Sequence, residues 1–165
     1  LSLDEAFLDM TGSEQLFGDP ESMGGQLKSA IRDVTGGLTA SVGLSTSKYV
    51  AKVASAFQKP DGLTVVPPED AKAWLAPLPV SRLWGAGPKT QLRLNDLGLY
   101  TIGDVASADV RFLSAKLGRA GPHFHTLAHA DDGQDHVHDV LDARVELRDV
   151  QGETEALVHI LGNER

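Results

Sequence analysis

The chain has 165 residues, no cysteine and a formal net charge of −8. Its length suits one domain with a substantial core or two small ones, and its 41% hydrophobic content is typical of soluble globular proteins. Without cysteine, a disulfide framework and a thiolate metal site are excluded. No apolar stretch reaches membrane-spanning length and no signal-peptide pattern is present, so we expect a cytoplasmic protein with no membrane partner.

The negative charge is concentrated at the two ends of the chain. Residues 1–25 carry −6 and residues 131–165 carry −7, whereas residues 26–130 carry +5. An acidic protein is usually a poor candidate for binding nucleic acids. Because the middle of this chain is basic, binding of a polyanion there is not excluded.

The first 67 residues alternate strand and helix patterns. Strands are predicted over residues 1–10, 38–45 and 63–66, and helices over 22–37 and 45–59. In the second helix, Ser45 or Thr46 is the predicted N-cap and Pro60 the predicted stop. The order β-α-β-α-β predicts an α+β fold in which the helices cover one face of a sheet.

The pattern changes after Pro67, which we take as a domain boundary. Residues 68–133 have short helical patterns broken by proline and glycine, including one from Pro88 to Leu97 that Gly98 closes. This segment is predicted to be a small all-α unit. Residues 134–165 are acidic and only weakly periodic, and they are predicted to form a linker.

Two adjacent carboxylates, Asp4 and Glu5, lie in the first predicted strand. Asp and Glu are unfavourable in strands, and neighbouring anions repel each other unless a cation lies beside them. One interpretation is a strand end with solvated charges. The other is a cation site, for which the strand must bulge or turn because adjacent strand residues point to opposite faces.

Three lysines share one side of the second predicted helix. Lys48, Lys52 and Lys59 fall within 40° of each other on a helical wheel of 100° per residue, opposite an apolar face. That apolar face consists of Val50, Val53, Ala54 and Phe57. The lysines form either a solvated face or a row of ammonium groups that meets phosphates.

The all-α unit contains Gly85-Ala86-Gly87 immediately before a helix. Glycines in this position let backbone N–H groups approach a phosphate, with help from the helix N-terminus. The segment is not a nucleotide-binding P-loop, because Pro88 stands directly before Lys89 and has no N–H to donate. His123, His125 and His129 have no carboxylate or cysteine at ligand spacing, so a metal site there is not favoured.

Three motifs in their order resemble the Y-family translesion DNA polymerases, of the DNA polymerase IV type. They are "SLDEAFLDMTG", "LTASVGLSTSKYVAKVASAFQKPDGLTVV" and "LPVSRLWGAGPKTQLRLNDLGLYTIGDV". The resemblance covers about residues 1–133. It implies that residues 1–67 are the C-terminal part of a palm, that residues 68–133 are a helical thumb with a helix-hairpin-helix, and that residues 134–165 lead toward a little-finger domain.

The resemblance also implies roles for individual residues. Asp4 and Glu5 match two of the family's metal-binding carboxylates, which hold two Mg²⁺ ions, and Lys59 matches its triphosphate-contacting lysine. Residues Gly85, Ala86, Gly87, Lys89 and Thr90 match the hairpin that holds the DNA backbone. The family's first metal-binding aspartate and its fingers are expected upstream.

The expected partners are primer-template DNA, a deoxynucleoside triphosphate and a sliding clamp that binds through further C-terminal regions. The expected activity is DNA-directed DNA synthesis past damage, by two-metal nucleotidyl transfer to a primer 3′-hydroxyl, with this chain inactive alone. The alternative is a non-catalytic module of the same family that binds the DNA backbone. The presence of both Asp4 and Glu5 favours the polymerase.

Overall fold

A computed structural model describes residues 5–131 in full and the backbone of residues 142–148. The chain divides into two compact units: the first holds residues 5–65 and the strand at 142–148, and the second begins at Val66. Among the described residues, no helix combines the length and the apolar character needed to cross a membrane.

The first unit alternates strands and helices. Its elements are β1 (Glu5–Asp9), α1 (Glu14–Phe17), α2 (Pro20–Val34), β2 (Thr39–Ser45), α3 (Lys48–Ser55) and β3 (Leu63–Val65). Helix α2 starts where the Asp19 carboxylate accepts the Ser22 amide at 2.8 Å, with Pro20 in the first helical position. The predicted α+β class is confirmed.

Helix α3 is shorter than the sequence pattern predicts. Ser45 is the last residue of β2, and the N-cap is Ser47, whose hydroxyl accepts the Val50 amide at 3.4 Å. The helix ends at Ser55, well before Pro60. Phe57 therefore lies beyond the helix and is 49% exposed, although the helical pattern placed it on the apolar face.

The strands of the first unit form one sheet in the order β1-β4-β2-β3, where β4 is Asp142–Arg148. Strand β4 runs antiparallel to both β1 and β2, and β2 is parallel to β3. Arg144 is the Cα partner of Phe7 on one side and of Gly43 on the other. Strand β4 thus separates the acidic strand β1 from β2.

The linker predicted over residues 134–165 is wrong for residues 142–148, whose backbone is a sheet strand. The sequence "DARVELR" alternates charged and apolar residues, which is the period-2 pattern of a strand. The acidic composition of the surrounding residues concealed this short alternation. The rest of the predicted linker, residues 134–141 and 149–165, lies outside the described residues.

Helices α2 and α3 cover opposite faces of the sheet. Val42 and Leu44 of β2 pack in one cluster with Ile31 of α2. Gly43 faces the other way, and a Cβ built on it would lie 2.2 Å from the Ala51 carbonyl oxygen of α3. Side chains alternate between faces along a strand, so the expected placement of both helices on one face is corrected. Residues 40–45 are all buried, as in a strand covered on both sides.

The second unit is all-helical in its described residues, as predicted. It contains α4 (Pro68–Leu75), a 3₁₀ turn at Val80–Arg82, α5 (Pro88–Asp96), α6 (Ile102–Ser107), α7 (Val110–Leu117) and α8 (Ala120–Ala128). Its core includes Leu75, Leu94, Ile102, Leu113 and Leu127, none more than 1% exposed.

A reciprocal cap fixes the start of α6. The Thr101 hydroxyl accepts the Asp104 amide at 3.1 Å, and the Asp104 carboxylate accepts the Thr101 amide at 2.8 Å. The same carboxylate accepts the Tyr100 amide at 3.0 Å. These hydrogen bonds hold the connection between α5 and α6 in place.

Candidate functional site

Glu5, the first residue of β1, has a cationic neighbour on α3. The Lys52 ammonium lies 3.7 Å from the Glu5 carboxylate, and the two side chains are 32% and 21% exposed. Leu8 packs in the cluster on the α2 face, so the alternation of β1 turns Glu5 toward the α3 face. The sequence identified Glu5 and Lys52 separately, and the structure brings them together.

Asp4, the other predicted carboxylate, lies outside the described residues. Among the described residues, no group of three or more His, Cys, Asp or Glu side chains is placed to hold a metal ion. The chemistry of Glu5 nevertheless fits a hard divalent cation, because Mg²⁺ prefers carboxylate oxygens. The ammonium beside Glu5 shows that this position already has a positive counter-charge.

Asp9 at the other end of β1 is a polar site that the sequence did not single out. Its carboxylate accepts the Thr11 hydroxyl, and it accepts the Thr11 amide at 2.9 Å. These hydrogen bonds lower the pKa of Asp9, and the charge of Lys48 adds to the effect. Two of the three lysines of the predicted stripe, Lys48 and Lys52, thus act on acids of β1.

Lys59 is exposed and lies in the turn between α3 and β3, four residues after the helix ends. The chain folds back here, because a Cβ built on Gly62 would lie 2.0 Å from the Gln58 carbonyl oxygen. The Gly62 carbonyl then accepts the Val42 amide at 2.9 Å, which joins the turn to β2. The turn therefore places Lys59 independently of the other two lysines.

Helix α2 holds this turn through Asp61. The Lys28 ammonium lies 3.0 Å from one Asp61 carboxylate oxygen and also donates to the Asp61 carbonyl. The Arg32 guanidinium lies 2.9 Å from the other oxygen. The hydrogen bond from Lys28 is the main reason that the pKa of Asp61 lies below its ordinary value. Sequence reasoning missed this pairing, which spans 29 and 33 positions.

Of the two hairpin glycines before α5, Gly85 has the conformation that requires glycine. Its φ is +86°, a left-handed value that side chains with a Cβ rarely adopt. Gly87 is the N-cap of α5 with φ −66°, and a Cβ built there meets nothing within 4 Å. Of these two glycines, only Gly85 therefore has a backbone conformation that requires glycine.

The backbone N–H groups of the hairpin fall into two sets: those that donate to a backbone carbonyl of the hairpin and those that do not. Ala86 donates to Leu83 and Gly87 donates to Gly85, each at 3.0 Å, and the Ala86 side chain is buried. Within residues 66–131, the backbone N–H groups of Lys89 and Thr90 donate to no backbone carbonyl in the chain that precedes α5. They lie in the first helical turn, where N–H groups lack intrahelical partners and favour anions.

His125 in α8 and His129, the C-cap of α8, contact each other with their rings tilted by 40°. The rings of His125 and His129 have centroids 4.5 Å apart, and the His129 Nδ1 lies 2.9 Å from the His125 carbonyl oxygen. Burial is the main cause that lowers the pKa of His125, and the charges of His129 and Lys72 act in the same direction. This geometry is that of a packed pair on one helix, with one ring nitrogen held by the backbone.

Two family models match the chain. Residues 1–56 match the impB/mucB/samB family, and residues 68–99 match the HHH motif of the IMS family. The first range contains Glu5 and Lys52, and the second contains Gly85, Lys89 and Thr90. Each of the two ranges lies within a different one of the two units.

Relatives with established names match most of the chain. It is 45% identical over 136 residues to DNA polymerase IV of Caulobacter vibrioides, which covers 81% of this chain and 33% of that protein. It is 48% identical over 137 residues to DNA polymerase IV of Halorhodospira halophila, which covers 82% and 37%. The chain thus spans about a third of the length of these relatives.

A solved structure agrees with this placement. The insertion ternary complex of Dbh DNA polymerase superposes with a TM-score of 0.62 at 26% identity, over 72% of this chain and 35% of that one. Sequence motifs, family models and fold therefore converge. The chain belongs to the Y-family DNA polymerases of the DNA polymerase IV type.

Proposed function

We propose that the chain supplies part of the palm and the thumb of a DNA-directed DNA polymerase that acts in translesion synthesis and hence in DNA repair. In this proposal residues 1–67 belong to the palm and residues 68–133 form the thumb. The observation that carries it is the Glu5 carboxylate beside Lys52 at the start of β1, inside the segment that matches the family model. The relatives' name, DNA polymerase IV, supports it.

The proposed reaction joins a deoxynucleotide to a primer. The primer 3′-hydroxyl gives up its proton to solvent and its oxygen forms a new P–O bond to the α-phosphorus of a deoxynucleoside triphosphate. The P–O bond between the α-phosphorus and the bridging oxygen breaks, and pyrophosphate leaves with its electrons. Two Mg²⁺ ions would supply positive charge against the negative charge that such a phosphoryl transfer develops. Asp4 and Glu5 are the residues of this chain that would hold them.

Lys59 contributes charge at the leaving side of the reaction. Its ammonium contacts the triphosphate and stabilises the negative charge that accumulates on the departing pyrophosphate. Its exposure at the tip of a folded turn supports this role, because an incoming nucleotide can reach it. Lys52 balances the Glu5 carboxylate before nucleotide and metal arrive.

The thumb binds the backbone of the primer-template duplex. The outward N–H groups of Lys89 and Thr90 and the exposed Gly85 turn face phosphates, with Ala86 and Gly87 shaping the turn behind them. Phosphate contacts of this kind position a duplex without reading its sequence. A solved neighbour is a ternary complex of a DNA polymerase, which supports DNA and a nucleotide as partners.

From the resemblance to its family, we also propose that the protein acts in the cytoplasm. We propose that a sliding clamp binds it through regions outside residues 1–133.

A DNA-backbone-binding module without catalysis is the second candidate. It is favoured by one observation: the second unit contains the hairpin in which the N–H groups of Lys89 and Thr90 have no backbone acceptor among residues 66–131.

A chimaeric polymerase tests the proposal. The matched residues of Caulobacter vibrioides DNA polymerase IV are replaced by those of this chain, and Mg²⁺-dependent extension of a primer is measured. We expect extension that is lost on Glu5→Gln and retained on Asp33→Asn, a matched removal of an exposed carboxylate on α2. A folded chimaera that binds primer-template DNA but shows no extension favours the non-catalytic module.

A further inference from the structure

The turn that carries Lys59 is held by a charged contact whose two basic partners, Lys28 and Arg32, lie outside the three sequence motifs. Lys28 and Arg32 stand one helical turn apart on α2, and each contacts a different oxygen of the Asp61 carboxylate, at 3.0 Å and 2.9 Å. Lys28 also donates to the Asp61 carbonyl, so the side chain and the backbone of this residue are both held.

The conformation of Asp61 makes this contact specific. Its φ is +60°, a left-handed value that is uncommon for residues other than glycine, asparagine and aspartate. On its C-terminal side, Gly62 packs against the Gln58 backbone and bonds to β2. The turn is thus held at Asp61 from α2 and at Gly62 from β2, two and three residues after Lys59.

The burial of the contact indicates that it orders the turn. The side chain of Lys28 is only 16% exposed, and those of Asp61 and Arg32 are 36% and 52% exposed. Lys28 is mostly buried and contacts both the carboxylate and the carbonyl of Asp61, so it restricts the turn more than a fully solvated ion pair does. An exposed turn without such a contact would sample many conformations, and each would move the Lys59 ammonium.

We propose that Asp61, held by Lys28 and Arg32, is a positioning residue that fixes Lys59 for contact with a triphosphate. This inference rests on the proposed role of Lys59 and deepens it. Helix α2 then takes part in nucleotide binding through the turn, although Lys28 and Arg32 themselves are engaged by Asp61. The contribution is geometric, since a bound phosphate gains from an ammonium that is already in place.

The direction in which Asp61→Asn changes polyanion affinity distinguishes a positioning role of Asp61 from a simple effect of its charge. Asp61→Asn keeps the shape of the side chain and tolerates a positive φ, but it removes one negative charge from a cationic surface. If Asp61 acts only as a surface charge, this variant binds a polyanion more tightly. If Asp61 positions Lys59, the variant binds it more weakly.

The experiment uses the whole 165-residue chain and inorganic tripolyphosphate as the probe. Amide chemical shifts of residues 58, 59 and 61–63 are followed by NMR during a titration, which detects millimolar affinities. The variants are Lys59→Ala, Asp61→Asn, the pair Lys28→Ala with Arg32→Ala, and Asp33→Asn as the matched control for charge on α2. Spectral dispersion confirms folding of each variant.

We expect Lys59→Ala and Asp61→Asn each to weaken tripolyphosphate binding at least threefold, with Asp33→Asn equal to or tighter than wild type. Faster amide exchange at Gly62 and Leu63 in Asp61→Asn and in the double variant accompanies the loss. A purely structural role would lower the unfolding midpoint and leave the affinity of the folded chain unchanged, which would overturn the inference.

The triphosphate-binding role of Lys59 and the positioning role of Asp61 can be disproved separately. Weaker binding by Lys59→Ala together with unchanged or tighter binding by Asp61→Asn overturns the positioning role and leaves the Lys59 assignment intact. No response of wild type to tripolyphosphate, or no effect of Lys59→Ala, overturns the Lys59 assignment and the inference that rests on it. In that case the amide exchange of Asp61→Asn still reports whether α2 holds the turn.

Discussion

Lys52 on α3 places its ammonium 3.7 Å from the carboxylate of Glu5 on β1. This pair exists because β1 turns its apolar residue Leu8 toward α2 and Glu5 toward the opposite helix. Both side chains are partly solvated, so water screens their attraction. The pair therefore balances charge at the proposed catalytic carboxylate and adds little to the stability of the fold.

The first prediction concerns the contribution of the ion pair between Glu5 and Lys52 to the stability of the fold. Glu5→Gln should lower the free energy of unfolding by less than about 1 kcal/mol, because partly exposed ion pairs contribute little. Urea denaturation of Glu5→Gln, Lys52→Met and the double variant measures the coupling between the two residues. A loss above about 3 kcal/mol in a single variant would indicate a buried charge left without its partner, contrary to the exposure observed.

The second prediction is that the 165-residue chain alone does not extend primers. Asp4 and Glu5 without further ligands should hold metal ions weakly, and a weak site leaves the nucleotide unplaced. A primer-extension assay with Mg²⁺ and the purified chain checks this, with the chimaeric polymerase as the positive control. Template-dependent, Mg²⁺-dependent extension by the chain alone would disprove it.

The third prediction assigns Lys59 to the nucleotide. In the chimaeric polymerase, Lys59→Ala should reduce kcat/KM for the incoming nucleotide about tenfold or more, because it removes a cation from the triphosphate. Lys116→Ala on α7 is the control, as it removes an exposed lysine in the second unit. If KM and kcat for the nucleotide are both unchanged in Lys59→Ala, Lys59 is a solvated surface lysine.

The fourth prediction separates the two hairpin glycines. Gly85→Val should destabilise the second unit by about 1–3 kcal/mol, because valine is strained at a φ of +86°. Gly87→Val should cost no more than about 1 kcal/mol, from the poorer N-cap alone, since its φ of −66° suits any residue and its Cβ would be in open space.

The same two variants test DNA binding by the whole chain. Wild type should bind duplex DNA weakly, without sequence preference and less tightly at higher salt, because the contacts are to phosphates. Gly87→Val should weaken this binding while remaining folded, since its side chain blocks the approach of a phosphate. Titrations at two salt concentrations that show equal binding, or no effect of salt, would contradict the hairpin assignment.

The fifth prediction is a pH dependence at the start of α6. The pKa of Asp104 lies below its ordinary value of 3.8 because its carboxylate accepts hydrogen bonds. The backbone N–H of Thr101 contributes most, followed by the Thr101 hydroxyl and the backbone N–H of Tyr100. A carboxyl group whose pKa is lower in the folded protein than in the unfolded chain stabilises the fold at pH values above the unfolded-state pKa. This contribution is lost as the pH falls through the folded-state pKa.

The measurement compares the urea midpoints of wild type and Asp104→Asn between pH 6 and pH 3. Wild type should be more stable at pH 6, and the gap should close as the pH falls below about 4. Asp96→Asn, a change at the last residue of α5, serves as the control. A gap that stays constant over this range would show that the Asp104 carboxylate is not stabilised in its charged form.

Local patterns in the sequence determined the element types. The alternation around β1, the spacing of Val50, Val53 and Ala54 in α3, and the proline and glycine breaks of the second unit each depend on near neighbours. The motifs around Glu5, Lys59 and Gly85 were likewise short enough to be recognised without a fold. For this reason the α+β class, the all-helical second unit and the family followed from the sequence.

Tertiary structure decided what depends on distant partners. The pairing of Lys28 and Arg32 with Asp61 joins residues about 30 positions apart, and no local pattern encodes it. The placement of β4 between β1 and β2, and of α2 and α3 on opposite faces, depends on which surfaces are covered when the sheet forms. Burial and charge pairing act between surfaces that meet only in the folded chain, so they decided the surroundings of Glu5 and Lys59.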